Sequence, residues 1–217
     1  MAAPARAQTE TSSDQRTITV TGAGSVTAAN DTALLSLGVS TTRSSAARAL
    51  AATSARTRRV LAALAAQGIA AEDIQTQAAG LRRSVQRATK HRKRKVVYIA
   101  SNSVSVTVRD VSKTGAVIAA VVKAGATHVG GIEFFPSNES GLYRQGLLLA
   151  YDDAREKAQL LADRAGVTLG RPLSIFEGQD SFEPLASEVS GGVSSPAPVE
   201  PGTSDIGALV TVVFAIS

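Results

Sequence analysis

Apolar residues recur along this chain with two periods. Every second position is apolar at Ile18 and Val20 within Thr17 to Thr21, and at Leu35, Leu37 and Val39 within Ala33 to Ser40. The clearest case is Val104, Val106 and Val108, which alternate with Ser103, Ser105, Thr107 and Arg109. That period lays one face of a strand on a core. Ile74 to Val85, Val96 to Val108, Ile132 to Phe135 and Ile206 to Ile216 also read as extended, the last with Val210, Val212, Phe214 and Ile216 on one face.

Helical spacing marks three further stretches. Ser44 or Ser45 caps a helix that runs to about Gln67 and stops at Gly68-Ile69. Leu50, Leu61 and Leu64 lie near one of its faces, and Arg48, Arg56 and Arg59 near another. Asp110 caps a second helix, which carries Ile118, Val121 and Val122 and ends at Gly125. The third starts at Ser140, with Tyr143, Leu147, Ala150, Ala154, Ala158, Leu161 and Ala165 at steps of four and three. Gly166 supplies its left-handed stop, and Leu173, Ile175 and Phe176 form a short strand beyond. The stretch from Ser140 to Phe176 is therefore expected to organise the core.

These elements predict an α+β fold, a mostly antiparallel sheet with helices packed on it. Strand, helix, glycine and strand occur twice, in Ala33 to Gln77 and in Val104 to Phe135, which suggests duplicated strand-helix-strand units. Residues 16–217 read as a single domain. Gly22-Ala23-Gly24 has no third glycine three residues on and no helix after it, so it reads as a turn or bulge rather than a dinucleotide loop. Residues 177–204 are rich in Ser, Pro, Gly and Glu and read as a flexible acidic insertion. Residues 1–15 read as a loose remnant after a signal-peptide region, because Ala5-Arg6-Ala7 has the small-x-small pattern of a cleavage site, though without the apolar stretch that should precede it; a disordered Ala-rich start is the alternative. The longest apolar runs fall far short of the roughly 20 residues of a membrane-spanning helix.

Charge adds a second kind of information. The net charge of +5 comes from one segment, where Arg82, Arg83, Arg87, Lys90, Arg92, Lys93, Arg94 and Lys95 crowd a hairpin tip with His91. No acidic residue lies between Asp73 and Asp110. The segment is a candidate site for a polyanion: nucleic acid, anionic lipid or cell-wall phosphate. Only Tyr98 is near, so base stacking is not indicated. Binding would be strongly salt-dependent, with six phosphate contacts losing roughly a thousandfold in affinity between about 50 and 200 mM salt. The late segment has the opposite sign, with Glu177, Asp180, Glu183, Glu188, Glu200 and Asp205 beyond the last basic residue, Arg171. Opposite charges on one subunit suggest head-to-tail association into a homo-oligomer.

Catalytic and metal chemistry find little support in the residues. Cysteine is absent, and His91 and His128 are the only histidines. No carboxylate stands at ligand spacing from them, so neither a zinc site nor any cofactor is expected. No nucleophile elbow, phosphate loop or zinc-protease motif is present, and no small-molecule substrate is indicated. Asp152 with Arg155 and Asp153 with Lys157 read as exposed helix ion pairs.

Several landmarks occur together in order. They are Ile18 to Val26, Asp31 with Ala33 to Val39, and Gly68-Ile69 with Glu72 to Thr76. Tyr98 with Ala100, Asn102 and Val104 to Val106 follows, then Ala124-Gly125-Ala126. Ala154-Arg155, Lys157-Ala158, Leu161-Ala162, Ala165-Gly166-Val167 and Leu169-Gly170 complete the set. In these the chain resembles the SIMPL domain family, the domain of unknown function shared with bacterial periplasmic immunogenic proteins. The resemblance implies an exported, envelope-associated or periplasmic protein, often oligomeric and linked to stress, with no established enzyme activity and no catalytic residues to transfer. Val97 and Ile99 depart from the Gly and Arg that relatives usually place around the tyrosine. The reading that follows is a non-enzymatic, self-assembling scaffold or interaction module, with polyanion binding through residues 82–95 as the alternative.

Overall fold

The alternating stretches form seven strands and the helically spaced ones three helices in a computed structural model that describes residues 16–86, 95–178 and 200–217. In chain order these are β1 (Thr17–Ala29), β2 (Thr32–Arg43), α1 (Ala46–Ala66), β3 (Ile74–Gln86), β4 (Lys95–Val108) and α2 (Thr114–Ala124). β5 (His128–Phe135), α3 (Glu139–Ala165), β6 (Leu169–Gly178) and β7 (Thr203–Ile216) follow. The fold class is α+β, as the periodicities require. The described residues divide into two compact units, one of 27–139 with 200–204, the other of 16–26, 140–178 and 205–217.

The larger unit holds a four-stranded antiparallel sheet in the order β3-β4-β2-β5. Its two strand-helix-strand passes interleave. β2 and β4 pair at the centre, β3 returns beside β4, and β5 returns beside β2. This is the β-α-β-β-α-β arrangement of ferredoxin-like folds, and it carries no functional inference by itself. Register brings the valines and leucines into cross-strand pairs, Leu35 with Val106 and Leu37 with Val104. α1 and α2 close over them with Val60, Leu64, Val117 and Val121.

Helix faces differ somewhat from the leucine pattern. Leu50 and Val122 point outward, and α1 buries Ala49, Thr53, Thr57, Val60 and Leu64 instead. The hydroxyls of Thr41 and Thr53 lie 2.7 Å apart and reach the carbonyls of Ala49 and Ala100, so this polar pair is satisfied inside the unit. Asp110 caps a one-turn helix, Val111–Lys113, by accepting from Ser112 N–H at 3.1 Å, and α2 begins only after it.

In the smaller unit the sheet order is β1-β7-β6, with α3 against one face. The buried row of α3 is Gly146, Ala150, Ala154, Ala158 and Ala162. Successive steps of four, rather than alternating fours and threes, carry this row obliquely around the helix. Leu161, expected inside, is therefore half exposed. Gly22-Ala23-Gly24 is no turn: both glycines lie within β1, and neither has a positive φ. What they supply is a missing Cβ. A Cβ on Gly22 would stand 2.0 Å from the Ala150 carbonyl oxygen, and one on Gly24 would stand 2.2 Å from that of Gly146. Strand and helix backbones thus meet directly.

Among the described residues β1 has β7 on one side only, and its other edge has no strand beside it. Asp153 accepts from Ala23 N–H at 2.7 Å, and Lys157 Nζ donates to the Thr21 carbonyl at 3.2 Å while pairing with Asp153 at 2.7 Å. The Asp153–Lys157 pair is therefore also an edge cap. Asp152 has no ion pair among the described residues. The final helical turn ends at Gly166 with φ +70°, and Val167 N–H returns to the Ala162 carbonyl at 3.0 Å.

Two glycine substitutions separate these roles. Gly22→Ala is expected to cost about 3 kcal/mol, because the obstructing atoms are backbone. Gly115→Ala in α2 meets open space and should stabilise by up to about 1 kcal/mol. Urea denaturation midpoints measure both, and a neutral Gly22→Ala would refute the direct-contact account.

Candidate functional site

Consecutive residues of a strand point to opposite faces, so the basic segment cannot present all its charges together. The described part shows how they divide. Arg83 pairs with Tyr98, which pairs in turn with Arg43, giving a cross-strand row on one face. Arg82 pairs with Ile99, which pairs with Thr42, giving a row on the other. Lys95 starts β4 opposite Gln86. Arg87, Lys90, Arg92, Lys93 and Arg94, with His91, lie outside the described residues.

The Arg83–Tyr98–Arg43 row is on the helix side of the sheet. Ala100, two residues from Tyr98, is buried there, and its carbonyl accepts from Thr53 of α1 at 3.1 Å. The chain leaves β2 at Arg43 and enters α1 at Ala46, so the row lies where the helical cover begins. Ser45 caps that helix with its hydroxyl, and the first turn carries no acidic residue. On this face β3 places Leu81, Arg83 and Val85 beside Ala100, Tyr98 and Val96 of β4. Leu81 and Val96 are 44% and 36% exposed.

Among the described residues no carboxylate pairs with the basic groups at this end of the sheet. Between residues 32 and 109 the chain has 14 Lys and Arg and two acids, Glu72 and Asp73. Both acids face Arg109. Asp73 takes three hydrogen bonds from it, from Nε at 3.1 and 2.9 Å and from Nη2 at 2.7 Å, and Glu72 stands at 3.9 Å. Among the described residues, Arg43, Arg48, Arg82, Arg83 and Lys95 have no ion-pair partner within 4.0 Å. Arg43 donates only to the Thr42 carbonyl, at 2.8 Å. Unpaired guanidinium groups at one end of a sheet sum to a sizeable local potential.

Other polar groups are engaged in holding the fold. Asp31 accepts from Thr32 Oγ1 at 2.8 Å and from both the N–H and the hydroxyl of Ser137 at 2.7 Å. The Ser137 hydroxyl, then that of Thr32, hold its carboxyl below the ordinary range. Its neighbour Asn30 donates to the Pro201 carbonyl and accepts from Ser204. In the smaller unit Tyr143 donates to Glu177 at 2.7 Å, which raises the phenol above its usual value. A cavity of about 200 Å³ beside it is lined by Ala23, Gly24, Gly178, Ala208 and Leu209.

His128 is exposed above Gly38 and Gly130. No group of three His, Cys, Asp or Glu with metal-binding arrangement occurs among the described residues. Of the acidic set, Asp180, Glu183 and Glu188 lie outside the described residues, while Glu177 belongs to β6 and Asp205 to β7. Sequence reasoning missed Arg43, which sits 40 residues before Arg83 and joins it only through strand register. The sole signal was its place three residues beyond an alternating strand.

The lowered carboxyl of Asp31 gives stability a pH dependence of defined sign. The folded state favours the charged form, so the contribution is full above the ordinary carboxylate pKa and is lost as pH falls through the lowered value. Asp31→Asn is expected to cost about 1 kcal/mol at neutral pH, discounted for its exposure, and almost nothing near pH 2. Urea midpoints at the two pH values check it; an equal loss at both would remove the carboxylate from the account.

Residues 18–214 match the family SIMPL, described as "Protein of unknown function (DUF541)". The chain is similar to the "26 kDa periplasmic immunogenic protein" of Brucella melitensis biotype 1, at 30% identity over 212 residues, covering 92% of this chain and 84% of that protein. The protein of the same name from Brucella abortus (strain S19) matches with the same identity and coverage.

Proposed function

The chain belongs to the SIMPL family, whose description assigns no activity, and on that premise we propose that it is an exported, non-enzymatic cell-envelope protein that works by associating with copies of itself. Export is supported by the periplasmic location in the relatives' name and by the small-x-small pattern at Ala5-Arg6-Ala7. No helix among the described residues is long and apolar enough to cross a membrane. A non-enzymatic role accords with the use of Asp31, Asp73, Asp110 and Asp153 as hydrogen-bonded fastenings of strands and turns.

The observation that carries association is the edge of the smaller sheet. β6 is its last strand, and Ile175 and Phe176 are 55% and 60% exposed. Register shifts around Pro172 interrupt the first half of β6, but Ser174 to Gly178 pairs continuously with β7 and leaves a regular outer edge. Such an edge, with apolar side chains on both faces, is a template for another chain. Leu148, Leu149, Leu160 and Leu161 of α3 add exposed apolar area in the same unit.

Light scattering on the full chain should give a mass that is a multiple of 22.2 kDa at micromolar concentration. Phe176→Asp is expected to reduce it at least tenfold in association constant, by placing a charge on the edge. A wild-type mass of one chain defeats the assembly reading. A second reading, polyanion binding through the basic hairpin, is favoured by the uncompensated arginines of β2 and β3.

A further inference from the structure

Charge alone does not choose among polyanions, but the company of the arginines does. On the helix side of the sheet end, Arg43, Arg83 and Tyr98 share one face with Leu81, Val85 and Val96. Leu81 and Val96 are among the exposed large apolar residues of the chain. An anionic polysaccharide offers exposed leucine and valine little to bury against, and a single tyrosine gives a nucleic acid no run of aromatic faces to stack on. A lipid surface uses all three kinds of side chain at once. Arginine meets lipid phosphate, tyrosine settles at headgroup depth, and aliphatic residues enter the acyl boundary.

We propose that this face is a membrane-contact surface for anionic phospholipid, with Arg43 and Arg83 on phosphate and Leu81 and Val96 as shallow anchors. The proposal rests on the polyanion reading of the basic hairpin and names its partner. Strands are about 4.8 Å apart, so Arg43 and Arg83 stand about 10 Å apart across Tyr98, a spacing suited to two neighbouring headgroups rather than one. The absence of carboxylates on this part of the sheet among the described residues supplies the charge complementarity, since both acids between residues 32 and 109 are held by Arg109. The apolar area is small, so binding is peripheral and reversible and depends on the charge of the leaflet.

The test uses the full chain, sedimented with vesicles of phosphatidylcholine alone and of phosphatidylcholine with about 30% phosphatidylglycerol, and passed in parallel over heparin. Wild type should sediment with the anionic vesicles only and should bind heparin. Arg43→Gln with Arg83→Gln is expected to weaken vesicle binding about 30-fold, from two phosphate contacts. Leu81→Ser with Val96→Ser should weaken vesicle binding severalfold while leaving heparin retention unchanged, a split that a purely electrostatic site does not produce. All four positions are at least partly exposed, and an unchanged urea midpoint confirms that each variant is folded; Leu81→Ser alone serves if the double variant is not.

Three results overturn the idea. Heparin retention without vesicle binding leaves the polyanion reading standing and removes the membrane. Vesicle binding indifferent to Leu81 and Val96, or lost only on replacing Arg92 to Lys95, moves the contact away from this face. Wild type that binds neither probe ends both readings.

Discussion

The backbone of β1 rests directly on the backbone of α3, and the smaller unit depends on that contact. Gly22 and Gly24 leave no Cβ on the strand, and Gly146, Ala150 and Ala154 leave little on the helix. Because the seam is filled by backbone and methyl groups, the bulk of the core comes from β7, with Val210, Val212 and Phe214. Of the leucines of α3, Leu147 packs partly against this core. Leu148, Leu149, Leu160 and Leu161 lie off the buried glycine-alanine row and stay about half exposed or more. Tight packing on one side of the helix thus coexists with an apolar surface elsewhere on it, and that surface is what the assembly reading uses.

The larger unit is built on the opposite plan. Its core is made of branched side chains, Leu35, Leu37, Val106 and Val117 among them, from two central strands and two helices. Interleaving places each returning strand beside the first strand of the other pass, so neither pass closes a sheet alone. Its few acids serve particular joints. Asp31 ties the β1–β2 corner to Ser137, Asp73 fixes Arg109, and Asp110 caps the turn before α2. With those in place, nothing negative remains for the arginines at the far end of the sheet among the described residues.

Much of this fold could be read from spacing. Four of the strands and the three helices follow from periods of two and of three to four, the other strands from short extended or apolar runs, and the glycine stops at Gly68, Gly125 and Gly166 all have positive φ. Two readings failed for one reason. Gly22-Ala23-Gly24 looked like a turn, and Leu161 looked buried, because sequence reports what a residue permits locally and not what approaches it. A glycine tolerated for its φ and a glycine required for its missing Cβ are identical in a sequence. The candidate surface was half legible: Arg83 and Tyr98 stood out, whereas Arg43 needed the register of β2 on β4.

Register also changes what a run of basic residues means. Eight positive charges counted along residues 82–95 suggest one strong patch, but a strand sends neighbours to opposite sides. Arg82 and Arg83 therefore belong to different surfaces, each with its own company: Ile99 and Thr42 for one, Tyr98 and Arg43 for the other. Arg43, which shares the face of Arg83, lies 40 residues from it in the chain. Specificity at such a site comes from the side chains that share its face, and the two faces of one hairpin can answer to different partners. The basic segment sets the field, and the face sets what the field attracts close enough to touch.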